Sequence, residues 1–205
     1  MVGLPILIKK ATSKPKYLAM AKLFTNQKEM KIDKEILSKI PRDYIFISGT
    51  LDINTKYFKK RIDEGVKVST INHKTNVFGR HTEWDFFNED KEFAVLLLQI
   101  VDYLESLPIK LNGFFLRESW GIIEGIGGHT IRHNHEPRYL SGVIYLNDHH
   151  LKLYLPDIKQ EITPQPGRFV IFSSFLEHYT KRNTKEKEKY AISFNFQSTP
   201  VNNIK

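Results

Sequence analysis

Gly127-Gly128-His129-Thr130-Ile131-Arg132-His133-Asn134-His135-Glu136-Pro137 is the stretch on which the rest of this chain turns, and Ser141-Gly142-Val143-Ile144-Tyr145-Leu146-Asn147 follows it closely. His133 and His135 are one residue apart. In extended backbone successive side chains alternate, so the spacing predicts both imidazoles on one face. Two imidazoles converging from one strand are half of a metal site. The third ligand has to come from elsewhere, and His178, in Phe175-Leu176-Glu177-His178-Tyr179, is the candidate.

Outward from that stretch, the period after Gly113 is extended. Strands are predicted at 114–123, 130–135, 142–146, 151–155, 168–172 and 190–196. Turn signals separate them: glycines 125, 127 and 128, Glu136-Pro137, Asn147-Asp148 and Pro164-Gln165-Pro166-Gly167. Several short strands closing in a C-terminal set suggest an antiparallel sandwich or jelly roll, so the fold class is mainly β with flanking helices. The hydrophilic run 181–188 reads as a solvated loop between two strands. Upstream, Phe93, Leu96, Leu97, Ile100, Tyr103, Leu104 and Leu107 recur at three- and four-residue steps. They predict a helix over 88–107, capped by Asn88, ended by Pro108 and packed on the outside of a sheet.

Residues 1–80 carry weaker patterns. Residues 1–10 read as a first strand, 17–24 and 34–40 as short helices (the second stopped by Pro41), and 44–47 as a strand. Asn54 is placed to cap a helix ending at Gly65. The chain reads as one domain of 205 residues, with 1–80 an extension packed on a core of 81–205.

Composition narrows the function classes. The hydrophobic fraction of 40% supports a packed core. There is no cysteine, which excludes disulfides, thiolate metal sites and a cysteine nucleophile. No apolar run approaches the roughly 20 residues of a membrane span. The net charge of +8 is compatible with an anionic partner, but the lysines are scattered as on an ordinary solvated surface.

Both cupins and non-haem iron oxygenases use two spaced ligands on one strand and a later histidine. A cupin places its last histidine shortly after a Pro-x-Gly turn, whereas His178 stands eleven residues beyond Gly167. The glutamate that a cupin carries a few residues after His-x-His is missing too, because Glu136 is adjacent. The oxygenase reading gains from Lys189-Tyr190-Ala191-Ile192-Ser193-Phe194-Asn195. Alternation puts Lys189, Ala191, Ser193 and Asn195 on one face, and Tyr190, Ile192, Phe194 and Phe196 on the other. A lysine aimed into a barrel is costly unless it meets an anion. A dicarboxylate co-substrate on the metal would supply one.

Residues from about 84 to 196 resemble the 2-oxoglutarate- and iron(II)-dependent oxygenases of bacterial and tailed-phage genomes. The resemblance rests on His81-Thr82-Glu83-Trp84-Asp85, Ser119-Trp120-Gly121, His133-Asn134-His135, Ser141-Gly142-Val143-Ile144-Tyr145-Leu146 and Pro166-Gly167-Arg168-Phe169-Val170-Ile171-Phe172. His178 and Ser193-Phe194-Asn195 complete it. The resemblance implies a double-stranded β-helix, cupin-like in outline, with Fe(II) held by His133, His135 and His178. It implies 2-oxoglutarate as co-substrate, its distal carboxylate paired with Lys189 and bonded by Tyr145, with Ser193 in the same pocket. It implies a hydroxylase acting in the cytoplasm of a bacterial or phage-infected cell. The wider superfamily has Asp or Glu where this chain has His135, which leaves the site more positive.

Two other functions stay open on the residues: a non-catalytic metal-, nucleic-acid- or protein-binding module, and a cupin-like dioxygenase without 2-oxoglutarate. Four further histidines are expected outside the site: His81 in a structural turn, His149 and His150 exposed in a hairpin, and His129 in a solvated loop.

Overall fold

The computed structural model describes residues 30–39, 43–71, 75–109 and 111–199. The strand expected at 1–10 and the helix expected at 17–24 lie outside the described residues. Twelve strands are described: β1 (Lys31–Lys39), β2 (Asp43–Thr50), β3 (Val77–Phe78), β4 (Arg80–His81), β5 (Phe114–Glu124), β6 (His129–Thr130), β7 (Leu140–Tyr145), β8 (Leu153–Leu155), β9 (Gln160–Ile162), β10 (Arg168–Ser173), β11 (Tyr179–Thr180) and β12 (Lys189–Ser198). Two α-helices, α1 (Thr55–Val68) and α2 (Lys91–Ser106), accompany them.

The main sheet has seven strands in the order β1-β2-β10-β7-β12-β5-β4. Every neighbouring pair in it is antiparallel. Two small sheets, β11-β8-β9 and β3-β6, are linked through a bridge between His133 and His178. The chain has the mainly-β architecture of a double-stranded β-helix.

Strand alternation divides the main sheet into two faces. Ile45 and Ile47 of β2, Phe169 and Ile171 of β10, and Ile192, Phe194 and Phe196 of β12 join the core that packs under the helices. From α2, Phe93, Leu96, Leu97, Ile100 and Leu104 reach the same core, as the predicted stripe required. The opposite residues, Phe46, Val170, Phe172 and Ala191, form a second cluster with Leu153, Leu155 and Ile162 of the small sheet. That second cluster lies beside the jelly-roll interior, where the site is.

Gly142 is required by close packing. A Cβ there would run into the Phe194 ring and lie 2.8 Å from Ile171 Cδ1, and the Phe194 ring is itself wedged against Phe93 of α2 at 5.8 Å. Gly142→Ala is therefore expected to destabilise the protein by about 1–3 kcal/mol, as overpacking does, read as a lower denaturant midpoint at unchanged slope.

Three expectations need correction. Of the segment predicted as a helix over 34–40, residues 34–39 belong to strand β1, paired with β2 from Lys31↔Thr50 to Lys39↔Asp43, and residue 40 lies outside the described residues. The helix preference of its Lys, Glu and Leu residues is outweighed by pairing along the whole strand. Helix α2 starts later than predicted: its cap is Asp90, whose Oδ1 accepts from Phe93 N at 3.0 Å, while Asn88 instead ties down β5 through Arg117 O and Ser119 Oγ. Its end agrees with Pro108, since Leu107 before the proline is extended, with φ −61° and ψ 146°. The strand predicted over 130–135 stops at Thr130: Ile131 N still bonds Asn76 O beside β3, but then the chain changes partners, His133 pairing with His178 and His135 N bonding Ser174 O. Asn54 caps α1 as expected, through a 3.1 Å bond from Tyr57 N, although the helix runs on to Val68. Among the described residues no helix is long and apolar enough to cross a membrane.

Candidate metal centre

His133 and His178 are locked together by backbone. His133 N donates to His178 O at 3.2 Å and His178 N to His133 O at 2.9 Å. That places their rings 4.4 Å apart, centre to centre. His135 reaches the same spot from irregular extended chain, with its ring 4.9 Å from His133 and 5.0 Å from His178. One ligand nitrogen from each of the three residues lies within 4.8 Å of the others. The structure thus brings the three predicted histidines together without the continuous strand expected for two of them.

The hydrogen bonds decide which nitrogens are available. His133 Nδ1 is 2.8 Å from Ile131 O, and His178 Nδ1 is 3.3 Å from Leu176 O. A carbonyl only accepts, so each Nδ1 carries the hydrogen and each Nε2 presents its lone pair. His135 Nδ1 lies 3.5 Å from the Asn195 amide, which donates to Glu118 Oε1 at 2.8 Å. Glu118 also takes Arg138 Nε at 3.1 Å and Arg138 Nη2 at 3.3 Å. Burial would raise the Glu118 carboxyl, but these hydrogen bonds hold it below its ordinary range. The third imidazole is therefore backed by an amide and an ion pair.

All three rings are held in the neutral form. Burial lowers His133. Burial and then the neighbouring His133 lower His135 to about 4. Burial and then the other two rings hold His178 well below its ordinary value. Neutral imidazoles are the ligating form, so this donor set fits a divalent metal at neutral pH without first losing protons. In metal-free protein the depressed values have a cost. The unfolded chain binds protons on these histidines below about pH 6.5 while the folded chain does not, so stability is full above that pH and falls as the pH drops toward about 4. Each such histidine contributes up to about 1.4 kcal/mol per pH unit within its window, which denaturant midpoints from pH 7.5 to 5 will show.

Behind the histidines the interior face is ordered in rows by strand register. Glu118, Asn195 and Ser141 are cross-strand neighbours, then Trp120, Ser193 and Val143, then Ile122, Ala191 and Tyr145, and last Glu124 and Lys189. The predicted alternation of β12 holds, with Lys189, Ala191, Ser193 and Asn195 lining one cavity with the histidines. Lys189 is 4% exposed and ion-paired to Glu124, which is 1% exposed. Glu124 Oε1 also accepts from Thr130 Oγ1 and Thr180 Oγ1, each at 3.3 Å. Tyr145 is buried on the neighbouring row, and its ring centre is 6.0 Å from the lysine Nζ. Burial and then the Glu124 charge push its hydroxyl far above its ordinary range, so it stays a donor. Ser193 is half-buried on the cavity wall.

The other described histidines lie apart from this cluster. His81 is buried on β4, paired with Ile122 of β5, with Nε2 3.3 Å from both Thr75 Oγ1 and Val77 O. His129 stacks on Phe78 at 4.3 Å, with Nδ1 on Gly127 O. His150 is exposed as predicted, but His149 is 4% exposed, a correction. Its Nε2 donates to Lys187 O at 2.8 Å and its Nδ1 accepts from Leu151 N, so it pins the 181–188 segment from below. Sequence reasoning missed Glu118 and Arg138 behind His135, and it missed Glu124. The predicted strand stops one residue short of it, and its place opposite Lys189 depends on the β5–β12 register.

The same fold occurs in solved structures of low sequence similarity. A viral collagen prolyl hydroxylase from Paramecium Bursaria Chlorella virus-1, in complex with 2OG, aligns with a TM-score of 0.60 at 14% identity, covering 75% of this chain and 96% of that one. A Pseudomonas putida prolyl-4-hydroxylase aligns with a TM-score of 0.54 at 16% identity, over 76% of this chain and 93% of that one. HygX from Streptomyces hygroscopicus with iron bound aligns with a TM-score of 0.56 at 13% identity, over 76% and 82%. No protein-family model and no curated protein sequence matches this chain.

Proposed function

We propose that this chain is an Fe(II)- and 2-oxoglutarate-dependent oxygenase that hydroxylates its substrate. The observation that carries the reading is the meeting of three neutral imidazoles in a jelly-roll interior with a buried lysine further in. Its support from outside is the fold shared with a prolyl hydroxylase solved with 2OG and with HygX solved with iron.

His133 and His178 would hold the metal through Nε2, since Nδ1 of each is committed to a backbone carbonyl. His135 would supply the third nitrogen, with Asn195 and Glu118 fixing its ring. When bound, the metal supplies activation of oxygen coupled to oxidation of a 2-oxo acid. The chain itself supplies orientation. Tyr145 would donate its hydroxyl to the far carboxylate of 2-oxoglutarate, Ser193 would line the path to it, and Lys189 would share its ammonium between that carboxylate and Glu124. Trp120, Val143, Ala191 and Phe172, which line the cavity, would exclude water around the carbon chain of 2-oxoglutarate.

The test is consumption of 2-oxoglutarate on admitting oxygen to protein loaded with iron under anaerobic conditions. Slow consumption without added substrate, absent in His178→Ala, is the expected result. Absence of both consumption and 2-oxoglutarate binding in metal-loaded protein would remove the proposal.

A further inference from the structure

At the inner end of the cavity Lys189 has a counter-charge before any ligand enters. Lys189 Nζ is ion-paired to Glu124 Oε2, and Glu124 Oε1 is occupied by the hydroxyls of Thr130 and Thr180. Both side chains of the pair are almost fully buried, at 5% and 1% exposure. A second cation nearby is Arg168, whose charge reaches Tyr145 and whose Nε is buried without a hydrogen-bond partner. Arg168 is drawn toward the outside by Asp33, which takes its Nη2 at 3.3 Å, whereas Lys189 is the ammonium that faces Glu124 directly. His149 is held neutral, by burial first, on Lys187 O. A carboxylate arriving at Lys189 therefore meets another carboxylate on the same ammonium, and like charges in a buried site oppose each other.

We propose that Glu124 is the specificity-determining residue at this end of the cavity: it penalises a 2-oxo acid with a second, distal carboxylate and spares one whose far end is uncharged. The inference rests on the 2-oxo acid reading given above, and it concerns only which acid the site prefers.

The test compares 2-oxoglutarate with 2-oxopentanoate, in which a methyl group replaces the distal carboxylate, by calorimetry on nickel-loaded full-length protein. The wild type should bind the two acids within about threefold of each other, and Glu124→Gln should bind 2-oxoglutarate at least about tenfold more tightly than wild type while changing 2-oxopentanoate by less than about threefold. Unchanged or weaker 2-oxoglutarate binding in Glu124→Gln overturns the inference alone, and Glu124 is then a residue that positions Lys189. No binding of either acid to either protein, with nickel bound, overturns it together with the oxygenase reading.

Should Glu124→Gln fail to fold, the double variant Glu124→Gln/Lys189→Met removes both charges. A wild type whose lysine is already neutralised should share its ratio of the two affinities within about threefold, whereas a relative loss of 2-oxoglutarate of about tenfold or more would show that Lys189 acts as a free cation and overturn the inference.

Discussion

Replacing Lys189 by Met is expected to destabilise the protein by about 3–5 kcal/mol, the usual cost of removing one partner from a buried ion pair. The Glu124 carboxylate, 1% exposed, would keep only the Thr130 and Thr180 hydroxyls, at 3.3 Å each. Those bonds stabilise the charge but do not neutralise it, and the β5–β12 pairing holds the carboxylate in place opposite residue 189. The double variant Glu124→Gln/Lys189→Met should recover most of the loss, because no charge is then left unpaired. Chemical denaturation of the two single variants and the double supplies the coupling energy. Single-variant losses that simply add would refute the pairing. The sequence alone suggested a different role, with the lysine waiting for a ligand's carboxylate. The Glu124 contact gives that lysine a structural partner whether or not a ligand binds.

The second large effect concerns His178. Nickel at a free concentration one hundred times its dissociation constant should stabilise the wild type by about 2.7 kcal/mol, and His178→Ala should abolish that increment at the same nickel concentration. His178 is the most buried of the three histidines, and the bridge to His133 fixes its backbone. Alanine keeps that bridge, so loss of the nickel effect would report the missing imidazole rather than a displaced strand. Thermal or denaturant unfolding with and without nickel makes the measurement. An equal nickel shift in the variant would place the ion somewhere other than this cluster. The neutral state of all three rings predicts that the nickel effect needs no alkaline pH.

Legibility from sequence followed the physical range of each signal. Helix α2 was readable because a 3.6-residue period is local to the segment. So was the β12 alternation, whose polar face lines the cavity and whose apolar face meets the helices. Strand β1 was misread as a helix because its partner β2, not its own residues, settles its conformation. His149 was misread as exposed for a related reason: its burial depends on Lys187, 38 residues away.

At the site the division is the same. From sequence came the three histidines by residue type, the inward lysine by the two-residue alternation of one strand, and the tyrosine by family resemblance. Folding in three dimensions assigned the partners. The antiparallel register set Glu124 against Lys189 and Glu118 against Asn195, and the bridge between His133 and His178 closed the imidazole cluster. Register is a relation between strands far apart in the chain, and a shift of one residue would turn Lys189 and Glu124 to opposite faces. The identity of the candidate ligands is therefore written locally, while the charge that Lys189 meets inside the cavity is set only by the pairing of β5 with β12.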